Sequence, residues 1–147
     1  MKVKGLFRMR KISTINYKFG KYEGEIKLGK RNGKGKLSLN DGTICIGHWK
    51  NNKMHGQCEM ILNTGRKIIG IFKNGKLSKG ISVLLDGQKY EGEFKNLMLS
   101  GKGTFSFING DKYIGEFKNG KFDGKGTLNY LNGKEIKGIF KEGKFVK

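Results

Sequence analysis

The chain has 147 residues, the length of one domain, and carries 31 Lys+Arg against 12 Asp+Glu for a formal charge of +19. Hydrophobic residues make up 35%, thin for a single compact core, yet the 25 glycines fall in too regular a pattern for disorder. Cys45 and Cys58 are too few for a disulfide framework and fit a reducing compartment, and no secretory h-region or apolar stretch of roughly 18 residues is visible; the expectation is an intracellular, cytoplasmic protein, at most associated with a membrane or the cytoskeleton.

Residues 1–15 form a basic N-terminal segment in which Lys2, Lys4, Arg8, Arg10 and Lys11 alternate with Val3, Leu6, Phe7 and Met9, and no acid occurs. Such a tail suits an anionic membrane surface, where each basic side chain contributes about 1 kcal/mol. From residue 16 to 147 the sequence repeats itself. The stretch 12–21 (ISTINYKFGK) reads as a degenerate half-unit that supplies a capping strand. Full units follow at 22–44, 45–67, 68–89, 90–112 and 113–135, with a partial copy at 136–147. One glycine marks the register: Gly24, Gly47, Gly70, Gly92, Gly115 and Gly138, spaced 23, 23, 22, 23 and 23.

Each unit opens on an alternating run. Tyr22, Gly24 and Ile26 share a face, and the same places hold Cys45/Gly47/Trp49, Ile68/Gly70/Phe72, Tyr90/Gly92/Phe94, Tyr113/Gly115/Phe117 and Ile136/Gly138/Phe140. A second run alternates behind it, as in Leu37/Leu39, Met60/Leu62, Phe105/Phe107 and Leu128/Tyr130, with Ser82/Leu84 the weak copy. Period two over five or six residues predicts a half-buried strand. Each repeat is therefore expected to be two strands and the whole an all-β, elongated antiparallel meander of about five and a half stacked hairpins. The mid-strand glycine would let a neighbouring aromatic lie across bare backbone. Asp41-Gly42, Asp86-Gly87, Asn109-Gly110 and Asn132-Gly133 predict two-residue turns between units. A longer Gly/Lys/Asn loop, such as Gly29 to Gly33, is expected within each unit, and the 22-residue third copy has lost one residue there.

The unit YEGEFKNG-x-x-x-GKGT resembles the MORN repeat (membrane occupation and recognition nexus), whose signature is close to Y-x-G-x-W-x-x-G-x-x-x-G-x-G. The resemblance covers residues 22–147. It departs from the pattern at Cys45, Ile68 and Ile136 in the first aromatic position, at Cys58 in a glycine position, and at Leu97 in the slot of Gly29, Gly75 and Gly120. The resemblance implies docking to anionic lipid, to cytoskeletal protein or to another copy, without enzymatic chemistry or a cofactor.

Two surfaces are candidates for that docking. Lys30/Arg31/Lys34, Lys76/Lys79 and Lys121/Lys125 recur once per repeat and are expected to form a positive stripe that binds lipid or another anion. The bland alternative is that these charges only solvate the surface. Ile46, Ile69, Ile71, Ile114 and Ile139 stand where better copies have Glu, and an outward β-branched row predicts a protein interface. Here the alternative is a sheet that curls enough to bury part of both faces. The ending of the sixth copy after its first strand predicts an open edge and a homodimer or end-to-end assembly. The leading function is a protein-interaction scaffold, with anionic-lipid binding as the alternative.

Nucleic acid is a remote third reading. The charge favours it, but Tyr22, Phe94 and Phe117 are committed to packing. Cys45, His48, His55 and Cys58 have zinc-like spacing, yet Cys45 and His48 lie three apart on a strand and face opposite sides. Gly101-Lys102-Gly103-Thr104 echoes a phosphate loop without its spacing or helix. With two histidines and no nucleophile–base pair, no catalytic site is expected.

Overall fold

The computed structural model describes residues 11–147, and every regular element in them is a strand. β1 (Ile12–Tyr17) precedes the first unit, which is β2 (Gly20–Lys27) and β3 (Lys30–Leu39). The second is β4 (Ile44–Lys50) with β5 (Lys53–Ile61), and the third β6 (Lys67–Lys73) with β7 (Lys76–Val83). The fourth is β8 (Lys89–Lys95) with β9 (Met98–Ser106), and the fifth β10 (Lys112–Lys118) with β11 (Lys121–Asn129). β12 (Glu135–Lys141) and β13 (Lys144–Phe145) close the order. They form one antiparallel sheet of 13 strands in chain order, so each strand packs on its sequence neighbours and the array is quasi-one-dimensional. β1 begins at Ile12, so the array starts ahead of the expected boundary at residue 16. Ile15 and Tyr17 already alternate inward, and β1 pairs with β2 from Ile12↔Glu25 to Tyr17↔Gly20.

The turns are the reverse of the expectation. Within each unit the connection is the tight one: Leu28-Gly29, Asn51-Asn52, Asn74-Gly75, Asn96-Leu97, Asn119-Gly120 and Glu142-Gly143 all have positive φ at both residues. That is the two-residue hairpin turn whose twist matches the strands. Between units the loops have three residues. Gly42 N–H donates to the Leu39 carbonyl at 3.1 Å and Leu39 N–H to Thr43 at 2.8 Å, with positive φ at Gly42 only. The Asp41 carboxylate accepts the Thr43 N–H, and Asp86 and Asn109 do the same in their loops. These Asp-Gly and Asn-Gly pairs therefore end a type I turn in a bulge, the three-residue hairpin.

The residues between Gly29 and Gly33 belong to the strand, not to a loop. Gly24 faces Gly35 and Ile26 faces Arg31, so β3 carries two more residues than β2 over that span, a bulge that turns Gly33 to positive φ. Gly56, Gly101 and Gly124 repeat it. In the third unit Gly70 faces Gly80 and Phe72 faces Leu77, so one residue is missing from the bulge of β7 while its turn is intact. The sixth copy also differs from expectation. Past Glu142-Gly143 the chain returns along β12, with Phe140↔Phe145 and a 2.6 Å bond from Ile139 N–H to the Lys147 carbonyl.

The core lies on one face, in two rows that flank a column of glycines. Register joins Gly24, Gly35, Gly47, Cys58, Gly70, Gly80, Gly92, Gly103, Gly115, Gly126 and Gly138 across the sheet. Tyr22, Tyr90 and Tyr113, all fully buried, lean across this column, so that a Cβ on Gly35, Gly103 or Gly126 would collide with a tyrosine ring. Each hydroxyl donates to the carbonyl three residues on: Glu25 at 2.9 Å, Glu93 at 2.7 Å and Glu116 at 3.0 Å. Tyr113 stacks on Phe122 at 3.8 Å and meets Phe117 and Phe140 edge-on. Trp49, Phe72 and Phe94 fill the corresponding row in other units.

Candidate docking edge and outer face

The tight turns bring lysines together. In each hairpin the residues on either side of the turn are directly opposite: Lys27↔Lys30, Lys50↔Lys53, Lys73↔Lys76, Lys118↔Lys121 and Lys141↔Lys144, with Lys95↔Met98 in the fourth unit. All eleven of these lysines are exposed. Like charges directly opposite on a sheet destabilise it, and one carboxylate, Glu142, joins them, 2.8 Å from Lys121. Glu142 raises the Lys121 pKa through that bond. One long edge of the array is therefore a palisade of ammonium groups.

Of the expected basic stripe, Lys30, Lys76 and Lys121 stand on this edge. Lys34, Lys79 and Lys125 are exposed on the outer face instead, where Lys79 is opposite Glu93 and Lys125 opposite Ile139. Arg31 leaves the surface. It occupies the core position that Met54, Leu77, Leu99 and Phe122 hold in other units, with its guanidinium 4.7 Å from the Trp49 ring and 5.4 Å from Tyr17. Its Nη2 donates to the Asn52 carbonyl at 2.7 Å, while Nε and Nη1 are buried without a partner. A cationic head on a long apolar stem can close the end of an aromatic core in this way. Lys2, Lys4, Arg8 and Arg10 lie outside the described residues, and Lys11 is exposed ahead of β1.

Sequence reasoning missed Lys27, Lys50, Lys53, Lys73, Lys95, Lys118, Lys141 and Lys144. The signal was present as KLGK, KNNK, KNGK, KNGK and KEGK, a lysine on each side of a two-residue turn. Once those residues are assigned to a loop, the pairing is invisible.

The expected isoleucine row divides in two. Ile46, Ile69 and Ile114 share one cross-strand line with Glu59, Ile81, Glu91 and Thr104, whereas Ile71 and Ile139 lie on the next line, opposite Gln57 and Lys125. Ile71 is 59% exposed, Ile114 52% and Ile46 41%; Ile69 and Ile139 are half-buried. Between the two lines the bare glycine backbone floors a shallow groove. Ile71 has a local explanation. Glu93 and Glu116, its counterparts, fold over the bulge glycine and accept the next amide, Lys102 N–H at 3.3 Å and Lys125 N–H at 2.5 Å. The third unit has lost that bulge residue, so no such amide calls for a carboxylate.

The irregular copies compensate internally. Cys45 removes the tyrosine of the second unit, and Cys58, in the glycine column, directs its thiol 3.3 Å to the His48 carbonyl, the counterpart of the acceptor that tyrosine reaches elsewhere. Burial pushes the Cys45 thiol up to about 11. Both cysteines lie on the core side and His48 on the outer side, so the four zinc-spaced residues do not converge. In the third unit Ser82 replaces a large core residue, and Arg66 reaches in to fill the gap, with Nε 2.7 Å from the Ser82 hydroxyl and Nη2 3.1 Å from the Leu97 carbonyl.

A tyrosine leaning over a glycine column, a buried aromatic two residues after the first-strand glycine in every copy but the first, and a bulge glycine define the hairpin of a MORN array. The family model for the MORN repeat matches residues 22–44, 45–65, 90–112 and 113–135, and the chain belongs to the MORN-repeat family. The third unit escapes the match where it lacks both the tyrosine and the bulge glycine. A search of curated proteins by sequence found no match. Proteins of this family are in general non-catalytic binding modules.

Proposed function

We propose that this chain is a non-enzymatic docking scaffold that lies on an anionic membrane surface by its lysine edge and leaves its outer face to a protein partner. One observation carries the reading: the ammonium groups are paired face to face at five of the six tight turns. Such pairs repel one another in the free protein, and an opposing anionic surface relieves the repulsion at every repeat. At about 1 kcal/mol for each Lys near an anionic leaflet, a few engaged hairpins suffice for stable binding. The outer face adds a second observation, an open groove beside Ile46, Ile69, Ile71 and Ile114 that is suited to a protein segment with apolar side chains.

The test is co-sedimentation with vesicles of neutral phosphatidylcholine and with vesicles containing phosphatidylserine, at low and high salt. The scaffold reading expects pelleting with the anionic vesicles only, weakening as salt shortens the Debye length from about 30 Å at 0.01 M to about 8 Å at 0.15 M. Equal recovery with both vesicle types, or none at low salt, refutes the membrane half of the reading.

A further inference from the structure

The same recess occurs twice along the array, with a different charge balance. At the junction of units four and five it is lined by the acids Glu93, Glu116 and Asp123 together with Lys102 and Lys118. At the junction of units one and two, 68 positions earlier, His48 replaces Glu116, His55 replaces Asp123, and Trp49 and Lys50 stand for Phe117 and Lys118. Lys30 also takes the place of Met98. The result is a recess of about 810 Å³ whose lining contains Lys27, Lys30, Lys50, His48 and His55 and no carboxylate. The neighbouring Glu25 lies across Gly33 at the rim, as Glu93 lies across Gly101.

The geometry points to a binding site for a phosphate monoester in this first recess. Lys27, Lys30 and Lys50, from two adjacent hairpins, line it, and three cations match a dianion better than a single negative charge. His55 accepts the Asn74 N–H at Nδ1 (3.4 Å), which leaves the Nε2 proton as a donor. Asp123 accepts the corresponding amide of Glu142, so a histidine at this position is a replacement that the backbone does not demand. Gln57 and Asn51 add neutral donors to the lining. The inference goes beyond the membrane reading, because a soluble phosphate ester satisfies the same groups as a phosphomonoester headgroup.

The experiment is an amide-shift titration of the full chain with phenyl phosphate, and in parallel with vesicles containing phosphatidic acid. Expected are saturable shifts confined to residues 27–33 and 48–57. The double variant H48E/H55D, which installs the acids of the second recess, weakens the response at least tenfold. K102Q/K125Q, with the same change in net charge on the outer face, leaves it unaltered. Shifts with phosphatidic acid alone identify the source as lipid; shifts with phenyl phosphate alone identify a soluble ester; either supports the site. Shifts spread evenly over all the tight turns, or an undiminished response in H48E/H55D, overturn it. Neither of those results touches the membrane reading, which stands or falls on phosphatidylserine vesicles.

Discussion

A MORN unit turns on one tyrosine and the glycine it covers, and the second unit shows the rule by breaking it. Cys45 and Cys58 divide between them what the ring and bare backbone do elsewhere. Restoring tyrosine alone, Cys45→Tyr, drives a ring into the Cys58 side chain, and Cys58→Gly alone opens a gap and loses the bond to the His48 carbonyl. Each single change is expected to cost about 1–3 kcal/mol, whereas the double variant, a regular Tyr–Gly unit, regains most of it. Urea unfolding of all four proteins measures the coupling, and additive losses contradict the compensation. The tyrosines also set an alkaline limit. Burial pushes Tyr90 up to about 12 in the fold, and its hydroxyl must keep a proton to donate to Glu93. The unfolded chain ionises first, near 10, so this contribution to stability is complete below pH 10 and fades as pH rises towards 12. Tyrosinate absorbance and far-UV circular dichroism are expected to change together over that window, with Tyr90→Phe shifting the transition.

At the scale of the hairpin, the strands were legible and their connections were not. Period two survives translation into structure because a one-residue slip would turn Tyr22 and Ile26 out to solvent. Turn type failed because glycine does not own the left-handed region here: Leu28, Asn51, Asn52 and Leu97 adopt positive φ as well. The bulge was hidden for a related reason, since Arg31 and Gly33 read as loop residues until the pairing of Ile26 with Arg31 places them in a strand. Arg31 itself is basic by composition and structural by position. The third unit teaches what the bulge tolerates, since Lys76-Leu77-Ser78-Lys79-Gly80 is the fifth unit's Lys121-Phe122-Asp123-Lys125-Gly126 without a residue matching Gly124. Deleting Gly124 is therefore expected to leave the array folded at a cost of about 1–3 kcal/mol, reduced when Glu116→Ile removes the carboxylate that had served the bulge. Deleting Glu116 inverts the faces of β10 and is expected to unfold its unit. Thermal melts of the three proteins separate these outcomes.

Across the whole molecule, repetition turns small local features into long ones. A pair of lysines beside one turn is an ordinary surface feature; eleven of them along one edge form a continuous field. Only Lys30, Lys76 and Lys121 of that edge were read from the sequence as part of a stripe, because the partner across each turn becomes visible only with the register. The same repetition makes the two recesses comparable and exposes the exchange of two acids for two histidines. It also supplies a control for the central claim, since Lys34, Lys79, Lys102 and Lys125 carry equal charge on the outer face. The decisive measurement is vesicle co-sedimentation with phosphatidylserine, comparing a quadruple edge variant, Lys73, Lys76, Lys118 and Lys121 each changed to Gln, with a face variant in which those four outer lysines are changed to Gln. Docking by the edge predicts that the edge variant loses up to about a thousandfold in affinity, at about 1 kcal/mol per lysine, while the face variant stays within about tenfold of the parent. Equal losses in the two variants would show that net charge alone draws the protein to the membrane and would contradict the lysine edge as its docking surface.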